Sequence, residues 1–248
     1  MKISKMETKE ILIQCTVEGN VVKLPSVQLE RKEYLEVKKH LELIGGKWKG
    51  GKVQGFVFET NPTDLLAQIS NGEKRNLKKE FQFFETPDSL ADQLVKFAEI
   101  EPNDSVLEPS AGRGAIVKAI HRRFPDMCVF GYELMELNQS FLGKIPQFKL
   151  LGSDFLAECK TSFDIIVANP PFSNNQDIDH IRMMFDCLKP GGRLVSIAST
   201  HWQFAEGRKE KAFREWIDEV EADVHNVDRG EFKESGTMVG TCIVVIQN

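Results

Sequence analysis

From residue 81 onward, short apolar runs alternate with amphipathic stretches. The runs fall at 104–109 (DSVLEP), 127–133 (MCVFGYE), 147–151 (QFKLL), 163–168 (FDIIVA), 193–199 (RLVSIAS), 223–228 and 239–246 (VGTCIVVI). Between them, apolar residues at helical spacing mark helices near 87–100, 114–124, 134–142, 177–188 and 208–221. Near-continuous apolar strands interleaved with amphipathic helices predict an α/β fold, with a parallel sheet covered on both faces. The last two strands follow each other with no helix between them, which predicts an antiparallel pair at the sheet edge.

The first 80 residues have another rhythm. Residues 1–29 alternate apolar and polar groups (Ile11, Ile13, then Val17, Val21, Val22, Leu24), predicting one or two short strands before Pro25. Residues 30–43 carry Tyr34, Val37 and Leu41 near helical spacing. Gly45-Gly46 and Gly50-Gly51 then punctuate Trp48 and the alternating Val53, Phe56 and Phe58, a hairpin pattern. Asn61-Pro62-Thr63-Asp64 opens a short helix through Ile69, and polar, basic residues 71–80 read as a linker. The expected organisation is a small α+β unit of helix, hairpin and helix with its linker at 1–80, then one large domain at 81–248.

Composition narrows the class. At 248 residues, 41% hydrophobic and 28% charged, the chain can bury a sizeable core and is not disordered. No apolar run approaches the ~18–20 residues of a membrane span, and the charged start MKISKMETKEILIQC lacks a secretory signal. Five scattered cysteines without a C-x-x-C pair, and histidines without ligand spacing, predict reduced thiols, no metal site and a cytoplasmic location. Residues 1–80 carry a net charge of +4 and residues 81–248 carry −9. The acidic body does not suit general polyanion binding, whereas the basic leader can supply phosphate contacts or be an unevenly charged solvated surface.

The candidate chemistry sits where strands end. The first ends in Glu108-Pro109-Ser110-Ala111-Gly112-Arg113-Gly114, whose glycines permit a tight turn and close approach to a ligand. The second ends at Glu133, about 20 residues after the glycines, where a carboxylate can take ribose hydroxyls. The third ends in Asp154-Phe155, an acceptor for an adenine amine beside an apolar ring. The fourth ends in Asn169-Pro170-Pro171-Phe172. Two prolines stiffen that turn and remove two N–H donors, Asn169 offers a carbonyl acceptor and Phe172 a flat face. This set suits a planar aromatic amine.

These motifs resemble class I S-adenosylmethionine-dependent methyltransferases over about 81–248, and NPPF is similar to the signature of the amino-methylating branch that includes N6-adenine DNA methyltransferases. The resemblance implies a Rossmann-like seven-stranded, mostly parallel sheet with an antiparallel last strand. It further implies that Thr86 (in Phe84-Glu85-Thr86-Pro87), Glu108, Pro109, Ser110, Gly112, Glu133, Asp154, Phe155 and Asn169 line the S-adenosylmethionine site. The motif order is similar to the gamma group, which includes Type I modification subunits, and residues 30–80 resemble leaders of phage and plasmid methylases. The glycine loop, E-P-S-A-G-R-G, departs from the common D-x-G-x-G-x-G. Gamma enzymes usually carry a target-recognition domain after the last strand, and this chain stops at Asn248. Specificity is therefore expected from residues 1–80, from loops 173–180 and 200–210, or from a separate subunit.

The implied reaction is in-line attack of the adenine N6 amine of DNA on the sulfonium methyl, leaving S-adenosylhomocysteine. Asn169, Pro170, Pro171 and Phe172 form the catalytic turn, and Phe172 and Phe232 contact the flipped base. Phe232 is equally readable as a core or hairpin residue. Trp202 with Arg208, Lys209, Lys211 and Arg214 either meets phosphates or forms a solvated helix face, and Lys47, Lys49 and Lys52 around Trp48 form a second DNA-contact candidate. Rival readings keep the turn and change the acceptor, to an RNA guanine amine or a protein glutamine. A non-catalytic cofactor-binding subunit of a restriction–modification assembly is the other alternative.

Overall fold

The computed structural model describes residues 7–76, 85–227 and 239–248. The chain divides into two units, Met1–Phe81 and Gln82–Asn248. In the small unit, helix α1 (Thr8–Ile13) precedes strands β1 (Thr16–Glu18) and β2 (Val21–Lys23), then helix α2 (Arg31–Leu43), strands β3 (Lys47–Lys49) and β4 (Gly55–Val57), and helix α3 (Thr63–Ser70). The strands form an antiparallel sheet in the order β1-β2-β4-β3. Ile11, Leu12, Val22, Val37, Leu41 and Phe56 make its core.

The N-terminal segment corrects the expectation of a strand through Ile11 and Ile13. Ile11 and Leu12 are both buried and Ile13 is exposed, which is a helical pattern. A reciprocal cap starts this helix, with the Glu7 backbone N–H donating to Glu10 Oε2 at 3.0 Å. Glu30 and Glu33 start α2 in the same way.

The large unit alternates helix and strand. It runs α4 (Asp88–Ala98), β5 (Val106–Glu108), α5 (Ala115–Arg123), β6 (Val129–Tyr132), α6 (Glu136–Leu142), β7 (Phe148–Gly152) and α7 (Phe155–Glu158). It continues through β8 (Phe163–Ala168), α8 (Gln176–Asp186), β9 (Leu188–Ser199), α9 (His201–Phe204), α10 (Arg208–Glu219), β10 (Asp223–Asn226) and β11 (Thr241–Gln247). The sheet order among the described residues is β10-β11-β9-β8-β5-β6-β7. Strands β7, β6, β5, β8 and β9 are mutually parallel. The last strand, β11, is antiparallel to both β9 and β10 and lies between them, so β10 holds the edge.

Successive side chains of the central strands feed opposite faces of this sheet. Val106, Ile165 and Val167 join Leu94, Ile116 and Ile120 on one face. Leu107, Ile166 and Ala168 join Ile178, Ile181 and Phe213 on the other. Burial on both faces is why these strands read as unbroken apolar runs. At the amino end of the sheet, Asp164 Oδ2 accepts from the Ser105 backbone N–H (2.9 Å), Ser105 Oγ (2.6 Å) and Lys189 Nζ (2.7 Å), tying β5, β8 and β9 together. From β5 the chain builds outward through β6 and β7, then crosses back to β8. That reversal places the topological switch point between β5 and β8, beyond whose carboxyl ends ligands bind in open α/β sheets.

Candidate active site

The loop after β5 is held by the end of β6. The Ala111 N–H donates to the Tyr132 carbonyl at 2.9 Å, and the Gly112 N–H donates to Glu133 Oε2 at 2.7 Å. Gly112 and Gly114 take φ of 55° and 77°, left-handed values that a side chain would strain. A Cβ on Gly114 would also lie 2.4 Å from Ile145 Cδ1, so the turn admits glycine for two reasons. Arg113 reaches Asn138 Oδ1 at 3.2 Å and lies 4.8 Å over the Phe141 ring, pinning the loop to α6.

Two buried carboxylates face this loop. Glu133 Oε1 accepts from the Met135 backbone N–H (2.8 Å) and Asn138 Nδ2 (3.3 Å), while Oε2 takes Gly112. Burial raises its pKa, and these hydrogen bonds oppose the rise. Neither a ribose role nor an exposed strand end, the two readings open from sequence, includes a bond to the glycine loop. Glu108 is 2% exposed, and its Oε2 is buried without a hydrogen-bond partner. Desolvation pushes its pKa well above the carboxylate range, opposed by the Val117 backbone N–H and reinforced by the charge of Glu133. Pro109 is buried beside it and Ser110 is half-buried.

Asn169, at the end of β8, donates from Nδ2 to Thr86 Oγ1 at 3.0 Å. Thr86 is buried, so a residue just ahead of α4 orients the amide that opens the N-P-P-F turn. Pro170 is buried, and Pro171 and Phe172 are half-buried, Phe172 against the core on the α4 side. The turn continues through Asn174 and Asn175, both left-handed at φ 57°, into α8. Two ties hold that exit. Asn175 Nδ2 donates to Glu210 Oε1 at 2.7 Å, and Lys209 Nζ donates to the Asn175 carbonyl at 2.8 Å. Asp177 Oδ2 accepts both the N–H and Oγ–H of Ser199 at 2.8 Å, joining α8 to the end of β9. These positioning contacts had no signal in the sequence beyond the polarity of the residues.

Other expected site residues are placed differently. Asp154 is exposed and caps α7, accepting from the Leu156 N–H at 3.0 Å. Phe155 is 2% exposed, tilted against Tyr132 at 5.7 Å and stacked near His180 at 5.9 Å. Its ring is a wall packed from behind and not an open stacking platform. Phe232 and Phe84 lie outside the described residues. The basic cluster after β9 is largely consumed internally. Lys209 pairs with Asp179 at 2.6 Å, Lys211 pairs with Glu206 at 2.7 Å, and Arg214 donates to the Trp202 and Ala205 carbonyls. Trp202 is buried against Phe213. Among the described residues, no helix is long and apolar enough to cross a membrane, and no three His, Cys, Asp or Glu gather as metal ligands.

Residues 86–223, more than half of the sequence, match the family model described as the methyltransferase small domain. The chain belongs to that family. Curated relatives include the modification methylase CviBIII of Paramecium bursaria Chlorella virus NC1A, 31% identical over 119 residues (44% of this chain, 32% of the relative). A release factor glutamine methyltransferase of Streptococcus pneumoniae is 32% identical over 90 residues (34% of this chain, 32% of the relative). The chain thus spans about a third of the length of these curated relatives. Among solved structures, the methyltransferase subunit of a type I restriction-modification system from Streptococcus thermophilus superposes with a TM-score of 0.56 at 19% identity, covering 66% of this chain and 44% of that one. The seven-stranded sheet is thus the class I methyltransferase fold. The family's methyl-transfer chemistry directs attention to the carboxyl ends of the neighbouring strands β5 and β8, which carry the Gly112 turn and Asn169.

Proposed function

We propose that the protein transfers the methyl group of S-adenosylmethionine to the exocyclic N6 amine of adenine in DNA, leaving S-adenosylhomocysteine. The observation that carries this reading is the bond from Asn169 to Thr86, which fixes the amide of a proline-stiffened turn at the switch point of the sheet. The residues fit the cofactor. The orphaned, buried Glu108 Oε2 is an acceptor suited to a cationic ammonium, and the left-handed Gly112 lets backbone approach closely. Glu108, Ser110, Gly112, Glu133 and Asp154 would hold it. When bound, S-adenosylmethionine supplies a methyl group on a sulfonium centre, open to displacement.

The chain's own residues then position the acceptor. The Asn169 side-chain carbonyl and the Pro170 backbone carbonyl accept from the two N–H bonds of the amine. They favour a pyramidal nitrogen whose lone pair points at the methyl group. Positioning and preorganised dipoles account for most of the expected rate, and the surplus proton leaves to solvent after transfer. A duplex base must flip out at a cost of a few kcal/mol, and stacking on Phe172 returns ~1–3 kcal/mol. DNA is therefore the proposed partner. A separate subunit for sequence choice accords with the fold shared with a type I restriction-modification methyltransferase subunit.

The similarity to release factor glutamine methyltransferases favours one second reading, in which the same turn grips a glutamine amide. Incubation with methyl-labelled S-adenosylmethionine and unmethylated DNA, ribosomal RNA or release factor, followed by digestion, separates them. Label in N6-methyladenine supports the proposal. Label confined to glutamine or to a guanine amine overturns it.

A further inference from the structure

The small unit carries a surface that methyl transfer does not use. Strand β3 is the edge of its sheet, and Lys47, Trp48 and Lys49 are all exposed along it, Trp48 by 42%. The hairpin turn adds Lys52. Residues 43–58 contain no acidic side chain, and among the described residues Lys47, Lys49 and Lys52 form no ion pair. The edge therefore presents three uncompensated ammonium groups.

Trp48 stands in edge-to-face contact with Phe56 at 5.1 Å and Tyr34 at 6.3 Å, which anchor one side of the indole and leave its rim in solvent. Its Nε1–H has no hydrogen-bond partner among the described residues, and Gly50 lies alongside with a bare backbone. Gly51, at φ 64°, takes the left-handed conformation that closes the turn. Edge lysines also guard sheets against strand pairing. That duty needs neither the half-exposed indole nor charges of a single sign. Donors only, with a flat ring among them, complement a polyanion built of sugars and phosphates.

We propose that the Lys47–Lys52 edge of the small unit docks the sugar–phosphate backbone of duplex DNA, with Trp48 lying against it. The choice of DNA rests on the reading of the large unit as a DNA methyltransferase. The basic leader would then supply phosphate contacts that the acidic body, where Lys209 and Lys211 of α10 are paired with carboxylates, does not.

The test uses the full chain and a labelled duplex oligonucleotide, with affinity measured across salt concentrations. Replacing Lys47, Lys49 and Lys52 together by Gln should lower the slope of log affinity against log salt by about 2.7, at ~0.9 per phosphate contact. Between about 50 and 200 mM salt, the wild type should lose about 40-fold more affinity than the variant. All three lysines are exposed, so the variant should keep its thermal transition. DNA should quench tryptophan emission more in the wild type than in Trp48→Phe, since Trp202 is buried and the half-buried Trp216 is packed against Phe213 and Arg182. A wild-type salt slope in the triple variant, or binding of an acidic peptide in preference to duplex DNA, overturns the proposal. Methyl transfer, measured in parallel, separates the two claims. A reduced slope in a protein that methylates no DNA retires the activity and keeps the surface. An unchanged slope with DNA methylation intact does the reverse.

Discussion

Glu108, proposed above to serve a ligand, illustrates how a single side chain can weaken the fold. Its carboxyl is buried at the end of β5 with one oxygen unpartnered, and desolvation raises its pKa well above the usual value. Between the ordinary carboxylate range and that raised value, the folded state holds a proton that the unfolded state has lost. Stability therefore falls as pH rises through this window. Glu108→Gln removes the titration and keeps an acceptor for the Val117 N–H. Thermal unfolding followed against pH should show matching transitions at acid pH, with the variant ahead by at least ~2 °C at neutral pH. S-adenosylmethionine binding to the variant should weaken. Parallel curves across the whole range would remove the buried charge from the account. The acidic strand ends themselves were legible, because apolar runs break abruptly at Glu108, Glu133 and Asp154. Their partners were not. Nothing in the linear order says that Glu133 turns toward Gly112, or that Phe155 is walled in by Tyr132 and His180.

At the scale of elements, the segment between β8 and α8 concentrates restraint on an uncommon backbone conformation. Asn174 and Asn175 both sit in the left-handed region, which for residues other than Gly, Asn or Asp costs roughly 1–2 kcal/mol each. The bonds to Glu210, Lys209 and Ser199 hold the chain there. A backbone so over-determined is found where a turn must present side chains in one orientation. Asn175→Gly keeps the backbone conformation and loses the Glu210 bond, whereas Asn175→Val loses both. Denaturant unfolding should rank wild type above Asn175→Gly and Asn175→Val lowest, and turnover should follow the same order at unchanged cofactor affinity. A valine variant as stable as the glycine variant would contradict the strain argument. Element boundaries were least legible where packing overrides pattern. A six-residue helix offers too few positions to separate period 2 from period 3.6, so Thr8–Ile13 looked like a strand. Strand β9 starts at Leu188, although the Lys189–Gly192 stretch has no apolar signal, because Leu188 pairs with Phe163.

For the whole molecule, the informative feature is how topology gathers distant residues. The order β10-β11-β9-β8-β5-β6-β7 puts the end of β8 beside the end of β5, and with it Asn169 beside Thr86, 83 positions earlier in the chain. The strand–helix rhythm made this sheet legible, since doubly covered parallel strands leave long apolar runs. The division of charge, +4 in the first 80 residues and −9 in the rest, was equally plain. Which cations remain uncompensated was not, since pairing of Lys209 with Asp179 depends on two helices packing together. The central claim is that the turn after β8 grips the reacting amine. It is tested most directly by Asn169→Ala, comparing calorimetric binding of S-adenosylmethionine with single-turnover methyl transfer to DNA. The account predicts cofactor affinity near wild type and a rate lower by at least ~100-fold, the scale for losing one preorganised polar group at a reacting centre. A variant that transfers methyl groups at the wild-type rate would contradict it.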